Sequence, residues 1–303
     1  MSHVPVKHHV SLKHHLLVVS LLMAGLLTLL SLLVAAPRQA GPVNKEEPGA
    51  EAYLKDEEAV VIAPKGSGQE VIILPITKVL FEYIEINEGC GPHFEGACVN
   101  MRSGPGEDFP AVNKLRNGIV LKVSGKVERD GRAWYKIALD AWLRYPERAT
   151  GDWYVAADYA DALLNEGDRA LQYGVKPSST KRIVVERSTQ KLYAYDGEEL
   201  FMETSISTGI ELTPTPRGTF TIFKKTPSRY MQGPIPGLSE KYYDLPGVPW
   251  NLYFTSGGAV IHGAYWHDNF GRQSSNGCVN LPPEQAKKLY LWADVGARVT
   301  VRD

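Results

Sequence analysis

Hydrophobic and polar positions divide the chain into one continuous apolar run, a polar spacer, and two successive regions of short alternating segments. From Leu16 to Ala36 no residue is charged and Leu, Val and Ala dominate, enough for a helix to cross a bilayer core of about 30 Å. Lys7 and Lys13 precede this run and only Arg38 follows closely. That bias leaves residues 1–15 as a cytoplasmic tail and places everything after the run outside. Val34, Ala35 and Ala36 also suit signal-peptidase cleavage. The run is longer than an ordinary h-region of about 7 to 15 residues, which favours an uncleaved anchor over 16–36, and both readings export the remainder. Residues 37–68 are rich in Pro, Gly, Ala, Glu and Lys, with a brief apolar stretch at Val60–Ala63. Such a composition predicts a flexible linker.

Over residues 69–165, β-rich runs fall at Val71–Leu74, Val79–Ile86, Ile119–Val123, Trp134–Ile137 and Trp153–Val155, the pattern of a small β-barrel. A polar connector follows over 166–179. From residue 180 the strands lengthen, at Arg182–Glu186, Lys191–Tyr195 and Leu200–Ser207, with Asp196-Gly197 as a two-residue hairpin signal. Thr213–Gly218 is a rigid turn before a strand at Thr219–Phe223, because each proline fixes its own φ and restricts its predecessor. Residues 224–251, interrupted by Pro and Gly, read as an irregular lid or binding loop; Tyr230, Met231, Trp250 and the nearby Tyr253 either line a groove there or pack in a core. Pro283–Ala293 predicts a short amphipathic helix opened by proline, and Ala297–Val301 a closing strand. The expected class is mainly β, a small barrel and then a larger β domain over 180–303, behind an N-terminal transmembrane helix.

Composition narrows the functional classes. The 303 residues accommodate two domains and a tether. A formal net charge of -1 lacks the polyelectrolyte signature of a nucleic-acid partner. Five of the eight histidines fall within residues 1–15 and read as a solvated tail rather than a metal tract. Export permits a disulfide between Cys90 and Cys98, with Gly91, Pro92 and Gly96 bending the chain between them. Cys90, His93 and Cys98 lack the fourth ligand that a tetrahedral zinc needs, so no metal is expected. Cys278 is then left over, which points to intermolecular pairing or a reactive nucleophile.

The stretch that carries chemistry reads Val260, Ile261, His262, Gly263, a variable loop, and then Ser274, Ser275, Asn276, Gly277, Cys278, Val279, Asn280. A thiol reacts as its thiolate, so Cys278 calls for a base or positive charge that lowers its pKa from about 8.5. His262, at the end of a β-rich run, is the candidate. Gly277 has no side chain to block approach, and the N–H groups of Gly277 and Cys278 are candidate oxyanion donors. His267, followed by Asp268, is the rival base but lies in the variable loop. Ser274 and Ser275 are weaker nucleophiles than a thiol at neutral pH and read as hydrogen-bonding the loop or the substrate. A buried cysteine on its own is usually an inert small hydrophobe, so the ordered set, not any single residue, carries the reading.

Two stretches resemble known families. Asn100-Met101-Arg102-Ser103-Gly104-Pro105-Gly106, with Trp134-Tyr135-Lys136 and Asp152-Trp153-Tyr154-Val155, resembles the bacterial SH3-like family, with Tyr145–Gly151 as an insertion. This implies a wall-binding or positioning module, with Trp134 and Trp153 read as barrel core. Residues 180–303 resemble the L,D-transpeptidase catalytic (YkuD-like) family through the opening hairpin, the Thr-Pro-Thr-Pro-x-Gly-x-Phe turn at Thr213–Phe220, Ile261-His262-Gly263, and Ser275-x-Gly277-Cys278-Val279-Asn280.

The second resemblance implies a β-sandwich in which Cys278 attacks the carbonyl of the third residue of a peptidoglycan stem and expels the terminal D-alanine. His262 would move the protons while the backbone carbonyl of Gly263 orients its ring. An amine of a second stem would resolve the thioester into a 3→3 cross-link, splitting one hard acyl transfer into two easier ones. Ser275, Asn276, Asn280 and Tyr253 are the candidate substrate contacts. Asn276 stands where many members have His, which bears on donor or acceptor preference. Water as acceptor would make an L,D-carboxypeptidase, and loss of catalysis a peptidoglycan-binding protein. A papain-like wall peptidase is disfavoured because His262 precedes Cys278. The implied partners are peptidoglycan stems, the membrane through residues 16–36, and carbapenem-type β-lactams as covalent inhibitors, with no cofactor, at the extracytoplasmic face of the cell envelope.

Overall fold

The structure, a computed structural model, describes residues 59–62, 72–140, 143–174, 179–234 and 241–303. The expected cytoplasmic tail, the candidate membrane span at 16–36 and most of the linker lie outside the described residues, among which no helix is long and apolar enough to cross a membrane. The end of the expected linker is not all spacer: strand β1 (Ala59–Ile62) pairs antiparallel with β2 (Ile72–Pro75).

The barrel follows as β3 (Tyr83–Ile86), β4 (Val99–Arg102), β5 (Ala111–Leu115), β6 (Val120–Arg129), β7 (Arg132–Ile137), β8 (Tyr154–Ala156) and β9 (Ala160–Leu163), in the sheet order β5-β4-β8-β7-β6-β3-β9. Along β6 the residues Leu121, Val123, Gly125 and Val127 are buried while the positions between them are not, the alternation of a strand with one face on a core. Trp134 and Trp153 are buried, as core residues should be. The expected strand at Val79–Ile86 starts only at Tyr83, and Leu80 is 99% exposed. Strands β4, β5 and β9 are not among the expected runs. They are short, and β5 has only Leu115 buried, so their sequence pattern is weak. A disulfide joins Cys90 to Cys98 just before β4.

After the short β10 (Arg169–Ala170), two five-stranded sheets stack around one core. One runs β13-β12-β11-β19-β14, from β11 (Lys181–Glu186), β12 (Lys191–Asp196), β13 (Glu199–Ser205), β14 (Gly218–Thr221) and β19 (Arg298–Arg302). The other runs β10-β15-β16-β17-β18, from β15 (Lys224–Pro234), β16 (Tyr242–Tyr253), β17 (Val260–Gly263) and β18 (Val279–Leu281). Helix α1 (Pro283–Trp292) buries Ala286, Leu289 and Tyr290 against this core. Its C-terminal carbonyls receive a buried cation: Lys225 Nζ donates to Tyr290 O at 2.6 Å and Ala293 O at 2.5 Å, the favourable end of the helix dipole. Burial pushes the Lys225 ammonium down to about 8.

The β12–β13 hairpin exists, but Asp196 pairs with Glu199, so the tight turn is Gly197-Glu198, one residue later, with a bulge at Ala194/Tyr195. The described part of residues 224–251 is not an irregular lid: it forms the long antiparallel strand pair β15–β16. Two of their prolines, Pro227 and Pro246, fall outside the paired positions, while Pro249 pairs with Ser228 and Pro234 with Tyr242. Pro246 and Gly247 face Tyr230 where the register shifts between Arg229 and Met231, and Pro227 lies opposite Trp250 between paired positions. A strand accepts proline at bulges, where no ladder donor is required.

The barrel packs directly on the sandwich. Tyr83 and Val120 of the barrel belong to the sandwich core, and Val248 and Tyr265 of the sandwich belong to the barrel core. Ser228 Oγ donates to Val120 O at 2.5 Å, and Lys287 pairs with Glu85 at 2.5 Å. Gly247 marks the closest approach, with φ +64 and an ideal Cβ position only 2.6 Å from Val120 O. The barrel insertion docks on the β15–β16 hairpin. Tyr145 N–H donates to Gln232 Oε1 at 2.9 Å, Gln232 Nε2 donates back to Tyr145 O at 3.1 Å, and Arg148 pairs with Asp244.

Candidate active site

Strands β17 and β18 run side by side in parallel, with His262 opposite Asn280. Cys278 leads directly into β18, and it lines the same groove of about 460 Å³ as His262 and Asn280. Adjacent strands thus bring together residues that are separated in sequence by a loop.

His262 is 1% exposed. Its Nδ1 lies 3.0 Å from Gly263 O, a contact that requires Nδ1 to carry the proton and donate it. Nε2 therefore holds the lone pair, and it is buried with no hydrogen-bond partner among the described residues. Burial pulls the imidazole down to about 4, so it is neutral at pH 7. Cys278 is a free thiol, 9% exposed, with Sγ 3.9 Å from Gly258 O. The expectation of a lowered thiol pKa is reversed. Burial pushes Cys278 up, and a backbone hydrogen bond from Val260 together with the nearby Arg229 charge offsets only part of this. Thiol and imidazole are both neutral at rest, an arrangement suited to proton transfer during attack rather than to a preformed thiolate.

The loop before Cys278 is braced from beneath. Ser274 and Ser275 N–H both donate to Thr208 O at 3.1 Å. Ser275 Oγ donates to Cys278 O at 2.5 Å, and Thr215 Oγ1 reaches the same carbonyl at 3.4 Å. Thr215 belongs to the Thr-Pro-Thr-Pro turn and also accepts Gly209 N–H at 2.9 Å, so that turn is a support for the Cys278 loop. Gly277 has φ +107, a backbone region in which a side chain is strained. Of the two candidate oxyanion donors, Gly277 N–H is occupied by Ser275 Oγ at 3.2 Å. Cys278 N–H has no acceptor among the described residues.

The remaining candidates separate. Asn276 is exposed on the groove and also borders a second hollow of about 410 Å³ beside Pro214 and Gly257. Ser275 is buried and spends its hydroxyl on the loop. Tyr253 does not line the Cys278 groove; it lines a neighbouring cavity between barrel and sandwich. His267, the rival base, is engaged at both nitrogens. It accepts Asn269 N–H at Nδ1, 3.2 Å away, and its Nε2 lies 3.0 Å from the Asn280 amide, outside the groove lining. Among the described residues no cluster of three His, Cys, Asp or Glu side chains could hold a metal ion.

Several groove residues were not foreseen as such: Arg229, Gln232, Tyr243 and Leu245 from the β15–β16 hairpin, Trp266 beside His262, and Arg144 from the barrel. The hairpin residues were hidden by the reading of that segment as a loop, although Met231 was named there as a possible groove residue and does line it. Arg144 precedes the insertion that was recognised, but nothing local to it indicates which surface it meets.

Residues 180–301 match the family model of the L,D-transpeptidase catalytic domain, and residues 97–159 that of a bacterial SH3 domain. Among solved structures, a Cys-to-Ser mutant of the Enterococcus faecium L,D-transpeptidase is 26% identical, with 41% of this chain and 50% of that chain covered and a TM-score of 0.37. This chain thus spans half the length of that one. The catalytic domain of the Enterococcus faecium L,D-transpeptidase acylated by ertapenem is 27% identical, covering 41% of this chain and 98% of that chain at a TM-score of 0.36. An L,D-transpeptidase from Mycobacterium smegmatis is 22% identical, covering 57% and 91% at 0.39. No curated protein matches. At these TM-scores the assignment rests on the two family models: the chain carries an L,D-transpeptidase catalytic domain of the YkuD family over residues 180–301, preceded by a bacterial SH3 domain.

Proposed function

We propose that this protein is a peptidoglycan L,D-transpeptidase with Cys278 as nucleophile and His262 as its base, working outside the cytoplasm from an anchor at residues 16–36. The observation that carries the reading is the imidazole orientation. Nδ1–H is committed to Gly263 O, which leaves the Nε2 lone pair free in the groove lined by Cys278.

In the first half-reaction Nε2 takes the thiol proton as Sγ adds to the carbonyl of the third stem residue, and Cys278 N–H donates to the developing oxyanion. The intermediate collapses by breaking the bond to D-alanine, whose nitrogen leaves with the proton held by His262. A thioester remains on Cys278. In the second half-reaction an amine of a neighbouring stem gives a proton to Nε2 as its nitrogen attacks the thioester. The C–S bond breaks, His262 returns the proton to sulfur, and a 3→3 amide cross-link is released. The strained carbonyl of a carbapenem-type β-lactam offers the same electrophile, so such compounds acylate Cys278 in this reading.

The test is incubation of the protein with tetrapeptide muropeptides, followed by mass spectrometry, with Cys278→Ala as control. The expected products are free D-alanine and 3→3 dimers. D-Alanine without dimers would make water the acceptor and the protein an L,D-carboxypeptidase. No Cys278-dependent product would leave a peptidoglycan-binding protein and end the proposal.

A further inference from the structure

Among the described residues the Cys278 groove is lined by no Asp or Glu, yet by two arginines, Arg229 from β15 and Arg144 from the barrel. Neither has a carboxylate at ion-pair distance among the described residues. Arg229 also lines the neighbouring cavity of about 410 Å³ between barrel and hairpin. There Lys224 is a further cation without a carboxylate partner among the described residues. Of the other charges in that cavity, Lys122 pairs with Asp140 at 2.7 Å, while Asp168 accepts the Tyr83 hydroxyl at 2.7 Å and has no cation at ion-pair distance among the described residues.

Unpaired cations therefore run along Lys224, Arg229 and Arg144, from the interdomain cavity, where Asp168 offsets only part of their charge, into the groove, where no described carboxylate does. Arg144 is held there by its neighbour, because Tyr145 exchanges two hydrogen bonds with Gln232, itself a groove residue. Cations kept without counter-ions in a partly desolvated cleft favour an anionic ligand. The planar guanidinium fork is matched to carboxylates.

We propose that Lys224, Arg229 and Arg144 form a cationic track that binds the carboxylates of a stem peptide, so that the barrel, through Arg144, is part of the substrate site. This rests on the reading of the groove as a stem-peptide site and adds a second domain to it. Arg144 and Lys224 are positioning residues, remote from the proton transfers. The barrel insertion is then the device that carries a substrate contact across the domain boundary.

Binding is measured by calorimetry on the full chain carrying Cys278→Ala, with a synthetic stem tetrapeptide and its fully amidated counterpart as probes. Lys224→Gln and Arg229→Gln should each weaken the free-carboxylate peptide about tenfold, the worth of one hydrogen bond to a charged group. Arg144→Gln, at an exposed position, should weaken it about threefold. The amidated peptide should bind all these proteins alike, and the distant surface variant Lys114→Gln should bind both peptides as the parent does. Unchanged thermal melting shows that each variant is folded. Equal losses for both peptides, no loss from Lys224→Gln and Arg229→Gln, or no peptide binding at millimolar concentration would overturn the track. No loss from Arg144→Gln alone would remove the barrel from the site. Turnover of muropeptides by the wild-type chain is scored separately, so failure of the transpeptidase reading and failure of the track are told apart.

Discussion

His262 is buried as a neutral imidazole, and acid should reveal it. In the unfolded chain the ring takes a proton near 6.5, whereas in the folded protein burial holds it off until about 4. Between these values the unfolded state binds more protons, so stability falls as pH drops. Above 6.5 the contribution is fully present, and it is lost as pH falls towards the folded value. A displacement of roughly 2.5 pKa units is worth about 3 kcal/mol at full extent. Between about pH 7.5 and about pH 4.5 the expected loss from this one group is about 2.5 kcal/mol. His262→Asn keeps an amide donor near the Gly263 carbonyl and cannot be protonated, so it cancels the contributions of every other titrating group. Urea unfolding of both proteins at the two pH values gives the difference directly. Parallel losses in wild type and variant would refute the buried-neutral assignment and with it the free Nε2 base.

Three further outcomes follow from the same structure. Because burial raises the Cys278 thiol above the range of a free thiol, iodoacetamide at pH 7 should alkylate it more slowly than free cysteine, with the rate still climbing beyond pH 9; a faster reaction at pH 7 would mean a preformed thiolate. Reduction of Cys90–Cys98, which closes a loop with a sequence separation of 8, should cost about 2.5 kcal/mol on the chain-entropy account. An unchanged urea midpoint under reductant would show that barrel packing alone fixes the loop. Gly247→Ala places a methyl 2.6 Å from Val120 O at a φ of +64, and should destabilise by about 1–3 kcal/mol. A melting temperature equal to wild type would mean that the barrel yields at this contact.

What the sequence alone determined about this protein depends on short-range backbone chemistry. Proline and threonine in a fixed order predict the turn at Thr213–Gly218, a glycine before Cys278 marks a tight loop, and β-branched or aromatic residues mark strands such as β11 and β12. These features need only their neighbours, and so they could be read without a fold. The same local rules failed where long-range pairing outweighed them. Residues 224–251 look like a loop because Pro and Gly interrupt them, yet β15 and β16 pair along their length, with Pro246 and Gly247 at the register shift and Pro249 and Gly233 within the ladder.

Tertiary structure decided the electrostatics of the site. The identity of a partner histidine suggested a lowered Cys278 pKa, but the desolvation that dominates it is a property of the packed core, which no window of sequence contains. It also decided which candidates share the groove. Tyr253 is turned into the neighbouring cavity and His267 into its own hydrogen bonds, while Arg229 and Arg144, from different domains, line the same cleft as Cys278. Such convergence arises from strand register and domain docking, which depend on pairings between residues far apart in the chain, whereas motifs record only what lies close along it.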